Sequence, residues 1–113
     1  MIKNSAKKTM IMKESICIDG ILSKFVGLMF SKKQNRGFIF RFNEEKIISL
    51  HMLFVFYPID VLFLDKNKIA VEIKENFRPF AFYKPKKKAM YVVELPNGIV
   101  KKTKTSIGDK IEI

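Results

Sequence analysis

Apolar residues in this chain recur at every second position in several short runs, the period of a strand with one buried face, and one segment departs from it. Met10, Ile11 and Met12 mark a strand candidate over Lys8 to Glu14, which Ser15 to Ile18 extends or follows. Phe38, Phe40 and Phe42 alternate with Ile39 and Arg41, and Asn43 to Lys46 then reads as a turn. Ile69, Val71 and Ile73 alternate with Ala70, Glu72 and Lys74, placing the second set on a wet face. Ala89 to Leu95 is a strand stopped by Pro96-Asn97-Gly98. A basic turn or helix covers Ile99 to Thr105, and Asp109 to Ile113 closes the chain as a strand. The departure lies at Ile21, Leu22, Phe25, Leu28 and Met29, whose spacing predicts an amphipathic helix from about Gly20 to Phe30, capped by Asp19. Ser31 to Gly37 is a polar loop, and Phe77 to Lys88, interrupted by Pro79 and Pro85, is irregular.

The most apolar stretch, Ser49 to Asp65, contains a histidine, a proline and an aspartate. The run from Ile47 to Leu64 approaches the length of a membrane span. Three features oppose a span: Asp60 near its middle would cost about 2.5 to 3.5 kcal/mol, His51 adds to that, and Pro58 breaks the internal hydrogen bonds a lipid-exposed helix needs. Two buried strands joined by a hairpin turn at Tyr57-Pro58 fit better, after Asp65 to Lys68 is read as the next turn. In that register Phe56 pairs with Ile59 and Val55 with Asp60. His51, Leu53, Val55, Asp60, Leu62 and Leu64 then share one face, with His51 roughly 13 Å along the strand from Asp60. The expected fold is mainly β: a small barrel-like antiparallel or mixed sheet, closed or half closed, with one short helix near the N-terminus.

Composition limits this picture without redirecting it. A length of 113 residues suits one domain, set here at 9–113 behind a basic lead at 1–8, and 48% hydrophobic residues exclude a disordered chain. The single cysteine, Cys17, has no disulfide partner within the chain and reads as a small buried hydrophobe. Met10, Met12, Met29, Met52 and Met90 read as core filling. The first residues lack the apolar run of a signal peptide, so a cytoplasmic location without membrane attachment is expected.

Gly27-Leu28-Met29-Phe30, His51-Met52-Leu53-Phe54, Pro58 to Asp65, Val93 to Gly98 and Gly108-Asp109 stand in an order and spacing that resembles the domain of unknown function 192 family, an uncharacterised group in archaea and bacteria. The resemblance runs from about Thr9 to the end. Met52 stands where Thr is frequent, Tyr57 where Phe is usual, and Asn97 where Ala is common. The resemblance implies one small mainly-β domain and brings no mechanism, since the family has no established activity. The absence of a signal segment is similar to its archaeal cytoplasmic members.

The chemistry-bearing residues are few. His51 is the only histidine, so no multi-histidine metal site can form within one chain, and no cofactor is assigned. Asp60, inside Pro-Ile-Asp-Val-Leu-Phe-Leu, must face water or be held by partners such as backbone N–H groups after Pro58. Glu94 lies among Val92, Val93 and Leu95. It either lines one pocket with His51 and Asp60, or sits on the wet face of an edge strand paired with Lys88 or Lys101. Asp109 is most simply a turn residue. No phosphate loop, nucleophile elbow or Cys–His arrangement is present, so no catalytic constellation is visible.

Charge supplies the other lead: 22 basic against 11 acidic residues leave +11. Lys84, Lys86, Lys87 and Lys88 interleave with Phe80, Phe82 and Tyr83, and Lys101, Lys102 and Lys104 follow, a pattern that suits nucleic acid or a merely solvated surface. The sequence therefore describes a binding or accessory module with a small-molecule pocket near His51, Asp60 and Glu94. The alternative is a nucleic-acid-associated protein, and a third reading is a small hydrolase or isomerase using Asp60 or Glu94. No oligomeric state is encoded visibly.

Overall fold

A computed structural model of the chain describes residues 1–19, 35–51 and 57–113, with the side chain of His51 outside that description. Among the described residues the strands are β1 (Ile2–Asn4), β2 (Thr9–Met12), β3 (Ser15–Asp19), β4 (Gly37–Lys46), β5 (Leu50–His51), β6 (Ile59–Leu64), β7 (Ala70–Phe77), β8 (Phe82–Tyr83), β9 (Ala89–Pro96) and β10 (Ile111–Glu112). One short helix, α1, spans Ile99–Lys102. The helix expected over 20–30 and most of the 31–37 loop lie outside the described residues.

The central sheet has the order β3-β4-β9-β6-β7, and a second sheet has the order β10-β1-β2. β5 and β8 form a separate antiparallel pair, with Leu50 opposite Tyr83 and His51 opposite Phe82. In the central sheet every pairing is antiparallel except β3 with β4, which run parallel and so require a crossover rather than a hairpin. The chain is thus mainly β, as its alternation predicts, but the central sheet is not a closed barrel. β3 and β7 are its edges, and the second sheet covers one of its faces instead.

β6 explains the apolar central stretch. All six of its residues are buried, because it lies between β7 and β9 and is covered on both faces. Ile59, Val61 and Phe63 join Phe38, Phe40, Phe42, Phe77 and Val92 in one cluster. Leu62 and Leu64 join Ile2, Ile11, Ile39, Val93, Leu95 and Ile111 in the other, between the two sheets. Burying side chains of this size supplies about 1.5 to 3 kcal/mol each relative to exposure.

Asp60 is the one charged residue of β6, and its relative exposure is 0%. Its Oδ1 accepts the Asn76 N–H at 3.0 Å, and its Oδ2 accepts the N–H groups of Gly98 and Val100 at 3.0 Å each. Asn76 sits at a positive φ of 50° near the end of β7, while Gly98 and Val100 open α1, whose N-cap has no side-chain cap of its own. One carboxylate thus replaces the missing cap and pins a strained turn.

Several sequence expectations are corrected by the pairing. Both sides of β6 are occupied by β7 and β9, and the register partner of Asp60 in β9 is Leu95; the anticipated pairing with Val55 falls outside the described residues. Asn43 to Lys46 is not a turn, since β4 continues to Lys46 through an irregularity opposite β9. Ala70 is buried rather than wet because the β6–β7 ladder shifts register between Phe63 and Leu64. Cys17 is exposed: its neighbours Ile16 and Ile18 pack inward, leaving it on the outer side of edge strand β3. Met10 is likewise exposed, whereas Met12 is buried. The basic lead contributes β1, with Ile2 and Asn4 fully buried. The Asp65 turn is as expected, its Oδ1 accepting N–H bonds from Asn67 and Ile69 at 2.8 and 3.0 Å.

Asp60→Ala leaves three backbone N–H groups without their acceptor, that of Val100 buried, and should cost about 2 to 4 kcal/mol in chemical denaturation. A variant within 1 kcal/mol of the parent would refute this role. Ile2→Ala should cost about 2 to 4 kcal/mol through the cavity it opens between the sheets; no measurable loss would show that β1 contributes little to the core.

Candidate functional site

The two faces of the central sheet separate the residues that the sequence draws together. Asp60 pairs with Leu95 and points with Leu62 and Leu64 toward the second sheet, whereas Glu94 lies between Phe38 of β4 and Val61 of β6 on the opposite face. Asp60 and Glu94 therefore do not line one pocket, and the paired-carboxylate basis for a hydrolase or isomerase is gone. His51 is held in β5, whose Leu50 packs against the cluster on the Glu94 side. β9 is an interior strand, so Glu94 is not on the wet face of an edge.

Glu94 is half-buried. Although part of its surface is open, the apolar atoms packed around it penalise the charged form and push its carboxyl up to about 8. Tyr57, half-buried against the same cluster, has its hydroxyl pushed up to about 12, first by burial and then by the negative charge of Glu94. A carboxyl and a phenol thus stand near each other on an apolar surface. In the sequence Tyr57 is marked only as a hairpin corner; the register that brings it near Glu94 is long-range and leaves no local signal.

A second carboxylate, Glu72 of β7, organises the segment around β8. It accepts hydrogen bonds from the Tyr83 hydroxyl and from the N–H groups of Lys86 and Lys87, the latter two at 2.8 and 3.0 Å. Burial, that hydrogen bond and the Glu72 charge push the Tyr83 hydroxyl up to about 12. The Tyr83 ring packs against Phe63 and Phe77, with centroid distances of 5.8 and 6.2 Å. Lys84, Lys86, Lys87 and Lys88 are exposed along this segment. Lys101 and Lys102 are carried by α1, whose Ile99 and Val100 pack on the other cluster, and Lys104 follows them. The two lysine groups therefore belong to opposite faces of the sheet.

A second buried aspartate joins the chain ends. Asp109 accepts Asn4 Nδ2 at 2.9 Å, Lys7 Nζ at 2.8 Å and the Ser106 N–H at 2.9 Å. Burial alone would raise the Asp109 carboxyl, but hydrogen bonds from Asn4, Lys7 and Ser106, with the Lys7 charge, outweigh it and bring it down to about 2. More than a turn residue, Asp109 fastens the N-terminal lead to the C-terminal strand. Among the described residues no cluster of three or more His, Cys, Asp or Glu side chains has metal-binding geometry. No helix among them is long and apolar enough to cross a membrane. An open groove of about 550 Å³ is lined by Met10, Lys13, Arg36, Ile99 and Lys102 among others, on the side away from Glu94.

The fold and sequence have relatives. A UPF0127 protein of Thermococcus sibiricus is 36% identical over 96 residues, covering 83% of this chain and 62% of that longer protein. UPF0127 protein PH1112 of Pyrococcus horikoshii is 35% identical over 114 residues, covering 99% of this chain and 97% of its own. A crystal structure from Sinorhizobium meliloti 1021, described as a candidate transcription regulator, superposes with a TM-score of 0.78 at 27% identity, covering 87% of this chain and 79% of that one. The DUF192 profile, described as Uncharacterized ACR, matches residues 4–113, and the chain belongs to that family.

Proposed function

We propose that this protein is a small-ligand binding module whose site is the Glu94 side of the central sheet. The observation that carries this reading is the placement of one half-buried carboxyl between Phe38 and Val61, with Tyr57 beside it. An apolar wall with one or two convergent polar groups is the usual form of a small-molecule site. The ligand that suits it is a small, mostly apolar molecule bearing one amine, whose cation would displace the Glu94 proton to solvent and pair with the resulting carboxylate while its body covers the apolar face. β5 borders the same cluster through Leu50. The lone exposed thiol of Cys17 suits a reducing cytoplasm. The description of the Sinorhizobium relative as a candidate transcription regulator is compatible with a module that binds rather than transforms.

Glu94 also has a pH signature. Its folded pKa of about 8 lies above its ordinary value of 4.5, so the folded state keeps a proton that the unfolded chain releases. The stability this confers is fully present below about 4.5 and is lost as pH rises through about 8. Denaturation midpoints should therefore fall across that window in the parent protein and fall less in Glu94→Gln; equal slopes would contradict the assignment. Benzylamine and cyclohexylamine serve as probes of the site. Titration followed by methyl NMR should shift Val61 and Val92, with Glu94→Gln weakening binding about tenfold or more. Shifts confined to the other cluster, or equal binding by the variant, would overturn the reading.

A further inference from the structure

Residues 80 to 86 show an inverted exposure pattern. Ala81 and Tyr83 pack against the first cluster and Pro85 is buried, so the alternate positions Phe80, Phe82, Lys84 and Lys86 face outward. Phe80 and Phe82 are 64% and 58% exposed, and Phe80 also holds a positive φ of 64°, a conformation costly for a bulky side chain. Ordinary packing would turn such rings inward. The segment is nevertheless held in place: β8 pairs with β5, the Ala81 N–H bonds to the Arg78 carbonyl, and Glu72 fixes the backbone of Lys86 and Lys87.

The charge around these rings is one-sided. Between positions 72 and 88 there are six basic residues, Lys74, Arg78, Lys84, Lys86, Lys87 and Lys88, and two acidic ones, Glu72 and Glu75. Glu72 accepts from Tyr83 and from two backbone N–H groups of the segment, and its single negative charge offsets only part of the lysine excess.

We infer that this strip binds single-stranded nucleic acid, with unpaired bases stacked on Phe80 and Phe82 and phosphates held by Lys84, Lys86 and Lys87. Two exposed rings at alternate positions of an extended segment, continued in the same row by lysines, supply both elements of sequence-tolerant single-strand binding: π faces for bases and cations for the backbone. A duplex presents no free base faces for such rings. A membrane surface would ask for a broader apolar face than two rings, and the neighbouring Ala81, Tyr83 and Pro85 point inward. The lysines of α1 belong to the other side of the sheet and are not part of the strip.

The test is fluorescence anisotropy with fluorescein-labelled dT12 and U12 at low and moderate salt. Phe82→Ala should weaken binding roughly 5- to 150-fold, the range expected when one stacked base goes unsupported. Lys84→Gln with Lys86→Gln should reduce the slope of log K against log salt by about 0.7 for each phosphate no longer neutralised. Lys101→Gln with Lys102→Gln removes the same charge from the opposite side and should leave affinity within about twofold. All substituted side chains are exposed, and matching thermal midpoints will confirm intact folds. The proposal is overturned by absence of binding at low salt, by equal weakening in the two lysine pairs, or by a Phe82→Ala variant that binds like the parent. Phosphatidylserine vesicles that bind with the same Phe82 dependence, in place of the oligonucleotides, would also overturn it.

Discussion

The Asp60 carboxylate is the constraint on which the rest of the arrangement depends. β6 is buried on both faces and flanked on both sides, so any polar group placed in it must find its partners within the protein. Asp60 finds three, all backbone N–H groups, from the end of β7 and the start of α1. Those donors come from segments 16 to 40 residues away in sequence, so the carboxylate closes long loops as well as satisfying hydrogen bonds. The short helix, with a left-handed glycine at its N-cap, has no side-chain cap of its own there. The Pro-Ile-Asp-Val-Leu-Phe-Leu run combines an apolar strand with its internal fastener.

That fastening fixes the roles of the other carboxylates. Because Asp60 points toward the second sheet, Glu94, one ladder position away, points to the opposite cluster and meets a different environment. Donors and a lysine surround Asp109 and lower its pKa, whereas apolar packing raises that of Glu94. Residue type is the same in kind; solvation and donor count decide whether each group serves as an anchor or as an ionisable handle.

Much of the fold is legible in the sequence because alternation reports which side chains share a face. The division of Ile59, Val61 and Phe63 from Asp60, Leu62 and Leu64, the Asp65 turn and the strand from Ala89 all follow from it. Alternation does not report which strand lies alongside. A hairpin at Pro58 suffices for Asp60 on local pattern alone, yet its neighbour in β9 lies 35 positions further along, at Leu95. The same blindness hides the proximity of Tyr57 to Glu94 and merges two lysine groups that the sheet separates. It also sends Cys17 inward, since a parallel edge strand exposes one side even where the flanking sequence is apolar. Asp60 and Glu94 are recognisable as anomalies from their neighbours alone, while their meaning depends on long-range pairing.

The disposition of acids also bears on the surface. Glu45 accepts the Lys66 N–H, Asp65 those of Asn67 and Ile69, Glu72 those of Lys86 and Lys87, and Asp60 and Asp109 accept others. These carboxylates serve turns and helix ends rather than neighbouring lysine side chains; Lys7 with Asp109 is an exception. Glu94, with its carboxyl at about 8, adds little negative charge near neutral pH. With 22 basic residues against 11 acidic ones, the net field of the protein is positive. The backbone hydrogen bonds that stabilise the turns thus also fix where the negative charges of that surface sit.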